Sequence, residues 1–142
     1  MKVQGVEELQ RNMSELSRKF GQEVAKTLFV SGQLVRTDAI KSIQTVSPGA
    51  VVNRSRLGGG TVTHTASRPG DPPNTDTGKL VQSIQVEVRS GDVYVGTGLS
   101  YAPHLEFGTK NMQARPWLFP ALERNREKIT GMIRTAMRKV IR

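Results

Sequence analysis

The chain has 142 residues, of which 36% are hydrophobic, and a formal net charge of +9. This length predicts a single domain, residues 1–142, with a modest core. The absence of cysteine excludes disulfides, thiolate metal ligands and cysteine nucleophiles. No apolar run reaches the roughly 20 residues of a membrane span, so we expect no contact with a membrane.

The N-terminal segment predicts a long helix. Apolar residues recur at spacings of three, four and seven, which places them on one face of a helix and is typical of a core or a subunit interface. Gly21 and Gly32 interrupt the series, so we expect either one long helix with a bend or two consecutive helices. The helix should end before Ser47-Pro48-Gly49. The apolar positions are Val6, Leu9, Met13, Leu16, Phe20, Val24, Leu28, Val35, Ala39 and Ile43.

Residues 50–75 have a different character. β-Branched residues dominate 51–56 and 61–66, and three glycines at 58–60 can supply the positive φ angles of a hairpin turn. We predict a basic β-hairpin arm that projects from the domain, with a disordered loop as the alternative. No Gly-Lys-Ser/Thr follows the glycines, so a phosphate-binding loop is not indicated. The candidate interface residues of this arm are Arg54, Arg56 and Leu57.

The rest of the chain is regular. Thr75, Asp76 or Thr77 can cap a short helix over 79–84, and alternating valines on either side of residues 90–92 predict an antiparallel hairpin. We expect a second short helix over 101–107, ended by Gly108, and a final helix that begins at Pro116 or Pro120. The sequence thus predicts an α+β fold. Its elements are a long N-terminal helix, an extended β-hairpin arm, a small antiparallel β-sheet, a short helix and a long C-terminal helix.

Residues 101–123 hold four of the seven aromatic residues, together with His104 and Glu106. On a helix these two side chains point about 200° apart, and two histidines are too few for a metal site, so we predict no enzyme and no cofactor. Glu106 should end a helical turn or pair with an arginine such as Arg115. The aromatics should form a corner of the core over the valine hairpin. The candidate interface residues here are Tyr101, Glu106, Phe107, Arg115, Trp117 and Phe119.

The positive charge is concentrated near the C-terminal end, where residues 111–142 hold 8 basic and 2 acidic side chains. We interpret this as a solvated or electrostatically steering face. The alternative function is a basic nucleic-acid-binding protein that uses residues 111–142 and the arm.

Three stretches in order carry a family resemblance: PPNTDTGKLVQSI at 72–84, YAPHLEFGT at 101–109 and ARPWLFPALE at 114–123. They resemble the small neck and tail-completion proteins of long-tailed bacteriophages, the "gene product ten" type of lambda-like siphophages. The resemblance covers residues 72–142 well and the N-terminal helix only as a general pattern.

This resemblance implies a structural virion protein with no catalytic residues. It implies a homo-oligomeric ring, of about six or twelve copies, at the head-tail interface as a neck, tail-completion or tail-terminator protein. The implied partners are the head connector or stopper and the tail tube or terminator proteins, with passive contact to DNA in the channel. The implied location is the neck or the top of the tail in the virion, and the host cytoplasm during assembly.

Overall fold

The computed structural model describes residues 5–55 and 57–141; Arg56 lies outside the described residues. The α+β prediction is confirmed, with two separate antiparallel sheets of two strands each in the described part. The elements are α1 (Val6–Gln44), β1 (Val51–Ser55), β2 (Thr61–Thr65), α2 (Lys79–Ser83), β3 (Gln85–Arg89), β4 (Asp92–Gly96), α3 (Ala102–Phe107) and α4 (Phe119–Ile141).

The two long helices, α1 and α4, run antiparallel. Asp38 accepts from Arg124 Nε at 2.9 Å near one end of the pair, and Glu23 lies 3.8 Å from Lys139 Nζ near the other. The first part of α1 therefore extends past the end of α4. Its apolar residues are 45–63% exposed there, and we call Val6, Leu9, Met13 and Leu16 the N-terminal stripe. Within residues 5–55 and 57–141, neither helix is apolar enough along its length to cross a bilayer.

The core lies between the second half of α1, the short helices and the start of α4. It consists of Val35, Ala39, Ile43, Leu80, Ile84, Ala102, Trp117 and Ala121. α1 runs unbroken through Gly21 and Gly32. The segment therefore forms one long helix and not two consecutive helices.

Gly32 serves close packing of α1 against the β3–β4 hairpin. A Cβ atom there would lie 2.5 Å from Val86 Cγ1 and 2.7 Å from Val93 Cγ2. The hairpin itself is confirmed, with Val86 opposite Val95 and Val88 opposite Val93. It turns at Ser90 and Gly91, both at positive φ, as a type I′ turn requires.

The predicted hairpin of the arm is also confirmed, with Val51 opposite Thr65 and Ser55 opposite Thr61. Every residue of β1 is exposed. Asp76 holds the arm to the domain through both strands, since it pairs with Arg54 of β1 and lies 3.8 Å from His64 Nδ1 of β2.

The predicted cap of the first short helix, α2, is wrong. Gly78 occupies the N-cap position at φ 74°, and no side chain caps the helix. The three candidates lie before this glycine, and two of them are engaged elsewhere. Asp76 binds the arm, and Thr75 Oγ1 donates to the Ile43 carbonyl at 3.1 Å.

Candidate functional site

The junction between α3 and α4 gathers most of the candidate interface residues. α3 ends at Gly108, whose φ of 77° turns the chain back. The returning segment lies along α3, because Arg115 N donates to the Leu105 carbonyl at 2.7 Å. α4 then begins at Phe119, with Pro120 in its first turn. The N–H groups of a first turn have no partner within the helix, so the missing N–H of proline costs no hydrogen bond there. The predicted Gly108 end and Pro120 start are confirmed.

The carboxylate of Glu106 caps α4. Its Oε2 accepts from Trp117 N at 2.9 Å and Leu118 N at 3.0 Å, and its Oε1 accepts from Phe119 N at 2.9 Å. Leu118 has no side-chain oxygen, so α4 has no cap from the residue before its start. A carboxylate at this position also complements the positive end of the helix dipole.

The predicted pairing of Glu106 with Arg115 is wrong. Arg115 Nε donates instead to the Ser67 carbonyl at 3.2 Å. His104 is exposed on the surface of α3, and the Glu106 carboxylate is engaged with three backbone N–H groups. This geometry suits a structural role for Glu106, and it does not present a base with its orienting partner.

An apolar groove of about 590 Å³ lies next to this junction. We call it the aromatic groove, because Phe107 and Phe119 line it while remaining 80% and 61% exposed. Small residues from three elements, Gly32, Gly96 and Ala102, line it as well. Its other apolar contributors are Val35, Val93, Val95, Pro103, Trp117, Leu118, Leu122 and Ile129.

The predicted burial of Trp117 in the aromatic corner is confirmed, since it is 2% exposed, but the prediction that the other three aromatics join it in the core is wrong. Residues 117–119 enter a helix, where successive side chains point about 100° apart, so Trp117 and Phe119 cannot both face the core. Tyr101, Phe107 and Phe119 are exposed instead. The Trp117 Nε1 atom is buried and has no hydrogen-bond acceptor among the described residues.

The exposed aromatic surface is a candidate binding face. At roughly 150–250 Å² for a whole aromatic side chain, Phe107 and Phe119 leave roughly 200–350 Å² of largely apolar surface in water. Together with the adjoining Leu118 and Leu122, this approaches the roughly 300–600 Å² of the largest apolar patch on an ordinary monomer, a size often found at functional surfaces. Within the described ranges, no three His, Cys, Asp or Glu side chains gather to hold a metal ion.

The remaining candidates lie around a second, more polar cleft of about 390 Å³. It brings Arg54, from strand β1 of the arm, together with Tyr101 and Arg115. Leu57 is fully exposed in the turn between the two strands of the arm.

Sequence reasoning missed two features of the site. One is the role of Gly32 in packing α1 against the β3–β4 hairpin, which lies more than 50 residues further along the chain. The other is the α4 cap made by Glu106. The sequence held one signal for it, since Leu118 cannot cap the helix and the cap must therefore come from another residue.

A family model described as "Bacteriophage HK97-gp10, putative tail-component" matches residues 7–108. The match spans α1, both hairpins, α3 and most of the first two motif stretches, and it ends before the third at 114–123. Neither a search of curated proteins nor a search of solved structures found a match. Because the matched residues make up well over half of the chain, the chain belongs to this family of phage tail components and is a structural protein of the virion.

Proposed function

We propose that the protein is the subunit of a homo-oligomeric ring at the head-tail interface, where it joins the DNA-filled head to the tail. One observation carries this proposal: the monomer leaves two separate apolar surfaces in water, the N-terminal stripe and the aromatic groove. Two apolar surfaces on different parts of a subunit can be buried by head-to-tail contacts between copies. Such contacts close into a ring when the rotation from one subunit to the next permits.

The arm provides a further contact in this proposal. Its two strands are exposed along most of their length, and an isolated two-stranded hairpin is marginally stable in water. The arm of each copy packs on a neighbouring subunit, or on the connector and tail proteins above and below the ring. Arg54 and Leu57 belong to this contact.

The charge of α4 supports a position near DNA or acidic partner proteins. The helix carries the exposed basic residues Arg124, Arg126, Lys128, Arg134, Arg138 and Lys139. Such a face steers acidic partners and tolerates DNA passing close by without binding a sequence.

Native mass spectrometry of the purified protein tests the ring. The expected result is one closed species, of about six or twelve copies, with little affinity for free DNA at physiological salt. A protein that stays monomeric at all concentrations and binds DNA with a steep dependence on salt would contradict the ring and support the nucleic-acid-binding alternative. Cryo-electron microscopy of virions then tests the position, which should be the neck or the top of the tail.

A further inference from the structure

We propose that the contact between copies is made by helix α1, whose N-terminal stripe lies in the aromatic groove of the next copy. This inference rests on the proposed ring function. It names the two surfaces that meet, so it can fail while the ring itself stands.

The stripe is suited to an apolar groove because its charges are on the other side of the helix. At about 100° per residue, Val6, Leu9, Met13 and Leu16 fall within an arc of about 80°. The six charged side chains of residues 6–20, which are three glutamates, two arginines and Lys19, all lie at least about 100° from the centre of this arc. The stripe can therefore leave water without any of these charges being buried, which would be costly.

The groove is suited to a helix. Gly96, which has open space where a side chain would stand, and Ala102 let a helix backbone approach closely, while Phe107 and Phe119 can close over its side chains. Apolar anchors three and four residues apart are the pattern by which an amphipathic helix binds a hydrophobic groove.

A chain cannot fill its own groove with its own stripe. Met13 and Gly32 lie on the same unbroken helix, 19 residues apart, and at 1.5 Å per residue this separates them by about 28 Å. The occupant must come from another molecule, and a second copy carries a surface of matching character.

The arm of a neighbouring copy fits the groove less well. Its strands expose the polar residues Asn53, Arg54 and Thr63, whose remaining hydrogen-bonding groups would lose water in an apolar groove. The stripe is apolar and the polar side chain nearest to it is the small Ser17, so its burial costs less, and we therefore assign the groove to α1.

A complementation experiment tests this contact. One variant, Met13→Glu, spoils the stripe and keeps the groove. The other, Phe107→Gln with Phe119→Gln, spoils the groove and keeps the stripe; glutamine avoids a second negative charge beside Glu106. All three positions are more than half exposed, so both variants should remain folded as monomers, which circular dichroism can show.

The expected result is that each variant alone is monomeric by native mass spectrometry, while an equal mixture forms a dimer of one copy of each. The dimer has one intact contact and cannot close. The matched control is Arg11→Glu, two residues from Met13 and on the far side of α1, which should still form the ring.

If the groove variant still forms rings, or if the mixture stays monomeric, the stripe does not meet the groove and this inference is wrong, although the ring stands when the unmodified protein forms one. If Met13→Glu forms rings normally, the stripe is not in the contact. If the unmodified protein is monomeric throughout, the proposed function fails and this inference fails with it.

Discussion

Replacing Glu106 by alanine should loosen the start of α4. The change removes the acceptor of three backbone N–H groups, two of them partly buried. A hydrogen bond to a charged group contributes about 1.5–3 kcal/mol, but water can replace the acceptor at the exposed Phe119 N–H, so the sum is an upper bound. A lost helix cap typically costs about 0.5–2 kcal/mol. We therefore expect a loss of about 2–4 kcal/mol, and about half of that for Glu106→Gln, which keeps an acceptor oxygen.

Urea unfolding followed by the fluorescence of Trp117 measures this loss, in a Met13→Glu background so that assembly does not add to stability. The matched control is Glu123→Ala, which removes an exposed carboxylate of α4 whose ion pair with Arg126 spans 3.4 Å. Such surface pairs contribute about 0–1 kcal/mol. Equal unfolding midpoints for Glu106→Ala and Glu123→Ala would refute the role of Glu106 as the cap of α4.

Three further outcomes are expected. Gly32→Ala should destabilise by about 1–3 kcal/mol in urea unfolding, because its Cβ has no room against Val86. Gly21→Ala, in open space on the same helix, should stabilise by up to about 1 kcal/mol, and equal effects would contradict the packing argument. Trp117 should emit at blue-shifted wavelengths already in the dilute monomer, since it is 2% exposed; emission typical of water would contradict this burial. Deleting residues 52–66 should leave a folded monomer that does not assemble, as circular dichroism and native mass spectrometry can show, and unfolding of the deleted protein would contradict the proposed arm.

The elements were predictable where the signal is local. Alternating valines around Ser90 and Gly91 are sufficient for the β3–β4 hairpin, and Gly108 and Pro120 mark an end and a start through backbone constraints of their own. The caps were less predictable, because a side chain that could cap a helix can instead bind another partner elsewhere in the fold. Asp76 is a reasonable cap for α2 by its position, but the arginine of the arm takes its carboxylate.

The aromatic residues show why the site was harder to predict than the fold. The same side chains are favoured in cores and in interfaces, so their clustering at 101–123 does not distinguish the two. Trp117 is buried and Phe119 is exposed because the first turn of α4 points them in different directions. That direction is fixed by Glu106, which is 13 residues from Phe119 in sequence.

The cap made by Glu106 has a consequence for the order of events during synthesis. The N-terminal stripe leaves the ribosome first, while the groove needs residues from as far along the chain as Ile129. The Phe119 wall also depends on the Glu106 carboxylate, which accepts a hydrogen bond from the Phe119 N–H group. In the proposed contact, a nascent chain therefore exposes the N-terminal stripe long before its aromatic groove has formed. Unfinished chains cannot polymerise with one another by this route, and growth of a ring waits for copies whose folding is complete.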